Sequence, residues 1–302
     1  MSIPVDPYYD KQYNARASVT DYDQYPRLYR SLSDAAHSSL QVFRDIAYGP
    51  GAGERLDIFP AAQPDAPVLL FIHGGYWRAL SKAESAFMAP ALVEAGACVV
   101  VIDYDLAPAV SLDHIVDQVR RSLAWINAHI AEFGGDPTRV VASGSSAGGH
   151  LVGMLLAGGW HADYGVTDSV LRGALPISGL FDLQPLLATQ INSWMNLDEQ
   201  AARRNSPQAH FPCQGPEIVV SYGALESAEF ARQSQEYLEA WQARGCQGAS
   251  WLRLGAIISM WCCSLVSPAR PCIGRRCSCS GFESCGPGLR VRPATVQNND
   301  RV

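Results

Sequence analysis

Gly144-Ser145-Ser146-Ala147-Gly148 stands between an apolar run, Val140-Val141-Ala142, and a helix-like stretch, Gly149-His150-Leu151-Val152-Gly153-Met154-Leu155-Leu156. Strand, sharp turn, helix is the setting in which a G-x-S-x-G pattern carries chemistry. Such a turn holds its central serine in a strained backbone conformation and leaves the hydroxyl exposed. Small neighbours are required, because a side chain at Gly144 or Gly148 would collide with the flanking strand and helix. Ser146 is the candidate nucleophile. The pattern is short enough to recur as a bland Gly/Ser turn, so its meaning depends on partners elsewhere in the chain.

One partner lies upstream. The apolar run Val68-Leu69-Leu70-Phe71-Ile72 ends in His73-Gly74-Gly75-Tyr76-Trp77. In the α/β-hydrolase arrangement a glycine-rich turn after the third strand supplies one backbone N–H to an oxyanion hole, and the residue after the nucleophile, here Ala147, supplies another. Glycine suits Gly74 and Gly75 because the main chain must approach a substrate oxygen closely. His73 precedes this turn and reads as a loop-orienting residue, not a base. The two motifs occur in the expected order, each after a predicted strand.

Composition narrows the alternatives. A chain of 302 residues with 48% hydrophobic and 17% charged residues suits one large α/β domain with a sizeable core. The net charge of −6 lacks any basic stripe and argues against a nucleic-acid partner. The start, Met1-Ser2-Ile3-Pro4-Val5-Asp6, has neither a basic n-region nor an apolar h-region, and no apolar run is long enough to span a membrane. A cytoplasmic location is expected. The cysteines are uneven: Cys98, Cys213 and Cys246 precede a crowd at Cys262, Cys263, Cys272, Cys277, Cys279 and Cys285. No histidine accompanies that crowd and a cytosolic setting disfavours disulfides, so neither a metal site nor a disulfide cluster is expected.

The coarse order of elements is a polar, tyrosine-rich arm and helix over 1–40, then a hairpin from Leu40–Tyr48 and Arg55–Phe59 around a glycine-rich turn. Strand 68–72, a helix near Lys82–Ala95, strand Cys98–Asp103 and a helix near Leu112–Phe133 follow. Strand 139–143 leads into the serine turn and its helix. Strand Leu171–Ile177, a helical insertion to about residue 209, strand Glu217–Ser221 and helix Ser227–Arg244 complete the series. This alternation implies a mostly parallel, doubly wound sheet covered on both faces, with an N-terminal antiparallel hairpin. The expected division is an arm at 1–40, an α/β-hydrolase domain at 41–246 and an aberrant tail at 247–302.

Chain order in this arrangement is serine, acid, histidine. A carboxylate belongs in the loop after strand 217–221, and Glu226 occupies it. Rivals are Glu229, expected on the solvent side of the following helix, Asp182 after the preceding strand, and the reading of Glu226 as a helix-dipole partner. The base is missing. The seven histidines are His37, His73, His114, His129, His150, His161 and His210, and none follows Glu226. The peptide Ala256-Ile257-Ile258-Ser259-Met260-Trp261-Cys262-Cys263 suggests why. It can be encoded as GCA ATC ATT TCG ATG TGG TGC TGC, and one frame away the same bases read AAT CAT TTC GAT GTG GTG CTG, or Asn-His-Phe-Asp-Val-Val-Leu. A frameshift accounts for both the lost histidine and the Cys/Arg/Ser-rich tail, and predicts that the last strand and closing helix are missing.

With these residues the chain resembles kynurenine formamidases (arylformamidases) of the esterase/lipase branch of the α/β-hydrolases. The resemblance is carried over about residues 5–246 by Asp45–Gly49, Leu56–Pro60, His73–Trp77, Gly134–Pro137, Ser146–Leu151, Ile177–Leu183, Glu226–Phe230 and Gln233-Ser234. Ser145 stands where relatives often carry histidine, and Glu226 where aspartate is common. The resemblance implies hydrolysis of N-formyl-L-kynurenine to formate and L-kynurenine in tryptophan breakdown, with no metal or organic cofactor. It implies catalytic Ser146 and Glu226 and an oxyanion hole from Gly74, Gly75 and Ala147. Tyr76 and Trp77 would either pack on the aryl substrate or belong to the core beneath the loop. The expected partner is a small aryl formamide or ester, with no nucleic acid and no membrane; a homodimer stays open. A general carboxylesterase on short acyl esters and a catalytically dead binding protein are the alternative functions.

Overall fold

The computed structural model describes residues 3–16, 19 and 21–253. They build an eight-stranded sheet of β1 (Phe43–Ala47), β2 (Arg55–Phe59), β3 (Ala66–Ile72), β4 (Cys98–Ile102), β5 (Gly135–Ser145), β6 (Leu171–Ile177), β7 (Glu217–Gly223) and β8 (Gly248–Arg253). The spatial order is β1-β2-β4-β3-β5-β6-β7-β8. The first two strands form the antiparallel hairpin and β2 meets β4 antiparallel; every later pair is parallel. The helices are α1 (Pro7–Tyr13), α2 (Gln24–Ser39), α3 (Ala89–Glu94), α4 (Leu112–His129), α5 (Ala147–Leu156), α6 (Asn192–Met195), α7 (Glu199–Arg204) and α8 (Ala228–Gln242). Short 3-10 turns join several of them.

Both faces of the central strands are covered, which is why they read as unbroken apolar runs. In β4, Cys98, Val100 and Ile102 enter the main core, whereas Val99 and Val101 enter a second core with Phe59, Phe71 and Phe87. Helix α5 is buried at every position, so its glycines let it lie directly on the sheet. Gly149 and Gly153 face the Ile177 carbonyl and the Pro207 ring, where a Cβ would come within 2.7 Å of either.

The strand register levels the ends that matter. Ile72 lies opposite Gly144, Ser145 opposite Ile177, and Ile177 opposite Ser221. The loops leaving β3, β5, β6 and β7 therefore converge at the carboxyl edge of the sheet, where open α/β sheets place their ligands.

Three expectations need correction. The helix expected over 82–95 is split into a 3-10 turn at Lys82–Glu84 and α3. Tertiary bonds win there: the Lys82 N–H donates to Asp103 Oδ1 and its Nζ to Asp57, and Pro90 fits only the first turn of a new helix. The stretch 112–133 is α4 followed by a 3-10 turn closed at Gly134, which has φ +80°. The strand expected to be missing at the far edge is present: β8 pairs in parallel with β7 from Ile218↔Gly248 to Gly223↔Arg253. Its ladder uses backbone groups and tolerates any non-proline side chain on an edge, so Trp251 and Leu252 stand exposed in it. The closing helix, the altered-frame segment 256–263 and the cysteine crowd lie outside the described residues. Among the described residues no helix is long and apolar enough to cross a membrane.

Candidate active site

Ser146 has φ 59° and ψ −120°, a left-handed-side conformation that costs a non-glycine residue of order 1–3 kcal/mol. The surroundings hold it there. Its N–H donates to the Ile177 carbonyl at 2.8 Å and its carbonyl accepts the His150 N–H at 2.9 Å. The elbow glycines are sterically required. A Cβ on Gly144 would lie 2.7 Å from the Gly148 carbonyl carbon, and one on Gly148 would run into the Ile72 carbonyl. Ser146 is left partly exposed at the floor of a cavity of about 750 Å³.

The Gly74-Gly75 turn lies against this serine. A Cβ on Gly74 would come 2.6 Å from the Ser145 carbonyl and 3.4 Å from the Ser146 Cβ, so only glycine lets the two loops meet. Gly75 sits at φ +99° and Tyr76 and Trp77 at +50° and +55°, a tight left-handed run closed by the Arg78 and Ala79 N–H groups on the Gly75 carbonyl. The Gly74, Gly75 and Ala147 N–H groups donate to no acceptor among the described residues. Ala147 is also the first residue of α5, whose amino end adds a partial positive charge beside the serine.

Glu226 occupies the loop after β7. Its Oε1 accepts the Ser178 hydroxyl at 2.7 Å and the Gly223 N–H at 2.8 Å. Ser178 follows Ile177, the acceptor of the Ser146 N–H, so the carboxyl and the serine are two hydrogen-bonded steps apart. Its other oxygen, Oε2, is buried and has no hydrogen-bond partner among the described residues. Burial pushes this carboxyl up to about 7, with Ser178 and Gly223 pulling less strongly the other way. An unsatisfied buried carboxylate oxygen is costly.

The rival carboxylates do other work. Glu229, expected at the surface, is buried: its Oε2 accepts the Tyr13 hydroxyl at 2.7 Å and meets Arg232 at 2.6 Å. The amphipathic pattern of α8 hid this, because the arm packs where solvent was expected. Asp182 accepts the nearby Gln184 N–H at 3.0 Å, a local turn contact.

Of the described histidines only His73 lines the cavity, and neither it nor His150, four residues after the serine, is placed as a base. His73 stacks on Tyr104 at 4.1 Å, its Nδ1 lies 2.9 Å from the Gly74 carbonyl, and burial pushes it down to about 4. It orients the loop, as its place in the sequence suggests. His150 accepts the Trp77 indole N–H at Nδ1 (3.1 Å) and donates from Nε2 to the Asn205 carbonyl (2.7 Å); burial also pushes it down to about 4. Both nitrogens are committed.

That geometry corrects the reading of Trp77 as a substrate contact. Trp77 is 0% exposed, held edge-on to His150, and does not line the cavity. It is the core residue beneath the loop. Tyr76 does line the cavity, with its hydroxyl donating to the Tyr13 carbonyl.

The arm was legible as a tyrosine-rich segment but not as part of the site. Asp6 caps α1, and Tyr13, at its end, is fully buried against Glu229 and Gln233. Gln233 in turn accepts the Phe181 and Asp182 N–H groups. Farther along the arm, Tyr22, Tyr25 and Tyr29 line the cavity together with Tyr76, Phe87 and Trp194, and Tyr29 stacks on Phe87 at 5.1 Å. The density of tyrosine before residue 30 was the available signal.

Comparison with known proteins agrees with this geometry. The family model described as BD-FAE matches residues 56–168. A kynurenine formamidase of Danio rerio is 37% identical over 223 residues, covering 72% of this chain and 74% of the relative. That of Salmo salar is 37% identical, covering 69% and 71%. The esterase LipQ of Mycobacterium tuberculosis is 28% identical over 70% of this chain and 55% of its own length. Among solved structures, a candidate thioesterase from a Silicibacter species superposes with a TM-score of 0.75 at 27% identity, covering 86% of this chain and 95% of that one. With the serine elbow and its glycine turn in register, and with this identity across most of two relatives, the chain belongs to the kynurenine formamidase family of α/β-hydrolases.

Proposed function

We propose that this chain is an arylformamidase-type serine hydrolase whose turnover is impaired by the loss of its base. The carrying observation is Glu226 Oε2, a buried acceptor without a partner among the described residues, two hydrogen bonds from a well-formed serine elbow. The relatives' name supports a formamide substrate, N-formyl-L-kynurenine, and the aromatic cavity beside Ser146 suits an aryl group.

In the complete reaction Ser146 Oγ attacks the formyl carbon and gives up its proton to a histidine. The oxygen that gains negative charge is held by the N–H groups of Gly75, Ala147 and Gly74. The carbon–nitrogen bond then breaks as the histidine returns the proton to the leaving aniline nitrogen. Water hydrolyses the formyl-serine by the same route, releasing formate. Glu226 acts on the histidine alone, fixing its tautomer and stabilising its cation. Without the histidine the donors and cavity remain, and about 10³–10⁴-fold catalysis over water is the most they sustain.

A general carboxylesterase is the second reading, favoured by the esterase relative and by machinery common to both reactions. Competition between N-formylkynurenine and a p-nitrophenyl ester, on a chain with its frame restored near residues 247–256, separates the two. The formamidase reading expects the formamide to have the higher kcat/KM, and a strong ester preference overturns it.

A further inference from the structure

We propose that Arg78 is a specificity residue that recognises an anionic group on the substrate while the aromatic walls hold its aryl part; this rests on the aryl-hydrolase reading above. Among the described residues, five charged ones line the cavity: Asp10, Arg16, Asp23, Arg78 and Glu84. Four are engaged within the protein. Arg16 and Asp23 pair at 2.7 Å. Glu84 meets Arg30 at 3.4 Å and accepts the Ser81 hydroxyl at 2.8 Å. Asp10 accepts the Gln190 N–H at 2.7 Å. The Arg78 guanidinium alone has no carboxylate or hydrogen-bond partner among the described residues.

Its position is nonetheless fixed. The guanidinium carbon lies 4.5 Å from the centre of the Trp194 ring. The Trp194 indole N–H reaches the Tyr76 carbonyl at 3.5 Å, and the Arg78 N–H donates to the Gly75 carbonyl at 3.1 Å. The cation is thus tied at both ends to the turn that would hold the reacting carbonyl oxygen, which sets its separation from the scissile bond. An arginine held over an aromatic ring keeps its in-plane N–H donors for a carboxylate, and an aromatic surface lowers the local dielectric around that contact. An aryl compound ending in a carboxylate satisfies the rings and the cation together; a neutral aryl compound satisfies the rings alone.

Binding tests this without turnover. Isothermal titration of the full chain at pH 7.5 compares 4-phenylbutanoate with 4-phenylbutanamide, which differ only in charge at the far end. Because Arg78 is exposed, the anion is expected to bind about fivefold more tightly, an advantage that added salt erodes. Arg78→Ala removes the advantage, so that it binds the anion and the amide equally; Arg78→Lys keeps part of it. Equal binding of the two compounds by the parent chain, or an anion preference that survives in Arg78→Ala, overturns the proposal while leaving the aryl reading intact. If neither compound binds, the aryl cavity reading fails and this inference fails with it.

Discussion

Replacing Glu226 with glutamine reports on the site without needing catalysis. The Glu226 carboxyl, ordinarily near 4.5, is pushed up to about 7 because burial outweighs its two donors. Between those values the folded chain holds a proton that the unfolded chain releases, so this group's stabilising effect is complete below pH 4.5 and is lost as pH rises through 7. Glutamine has nearly the same shape, keeps an acceptor for Ser178 and Gly223, and does not titrate. Its intrinsic cost is present at every pH and cancels when two pH values are compared. From pH 5 to pH 8 the stability of Glu226→Gln relative to the parent should therefore rise by about 2–3 kcal/mol. Urea unfolding at both pH values measures it, as a relative midpoint gain of about 1 M. Asp103, pushed up to about 6 by burial, titrates alike in both chains and drops out. A difference that stays flat from pH 5 to pH 8 refutes the claim that Glu226 is a buried carboxylate lacking its partner. Restoring the histidine segment should shrink the rise, since an imidazolium favours the ionised carboxylate.

Two further substitutions test the supporting structure. Trp77→Phe deletes the donor to His150 Nδ1 and should lower stability by about 1–3 kcal/mol in thermal or urea unfolding, while 4-phenylbutanamide affinity stays unchanged; weaker amide binding would return Trp77 to the cavity wall. Tyr13→Phe leaves buried Gln233 and Glu229 without the hydroxyl they share, and should expose the arm to limited proteolysis well below the unfolding temperature. An arm cut no faster than in the parent would show that Tyr13 is not its anchor.

What the sequence made legible was local. The elbow and the His73–Trp77 turn are contiguous, and their glycines are dictated by clashes with adjacent strands that any parallel β3–β5 pair would impose. The place of Glu226 in the loop after β7 was legible because that strand was legible; its bonds to Ser178 and Gly223 were not. What stayed hidden depends on segments far apart in the chain. Glu229 lies on the polar side of an amphipathic helix by pattern and is buried only because Tyr13, 216 positions away, covers it. Trp77 neighbours a lining residue and its ring meets that of Tyr76 edge-on, yet it is buried against His150 and does not reach the cavity. Arg78 and Trp194 meet across the helical insertion, a pairing no periodicity encodes. The eighth strand carries no side-chain pattern in the sequence, because its pairing with β7 needs only backbone.

The central claim is that everything except the base is in place, and single-turnover measurement of formate release tests it most directly. The chain as written is compared with one whose frame is restored to give Asn-His-Phe-Asp-Val-Val-Leu, each with and without Ser146→Ala. The account predicts that restoration raises the rate by about 10³-fold or more, and that Ser146→Ala in the restored chain lowers it by roughly 10⁵–10⁶-fold. A chain as written that already turns over at the restored rate in a Ser146-dependent way, or a restored chain that hydrolyses neither formamides nor esters, would contradict it.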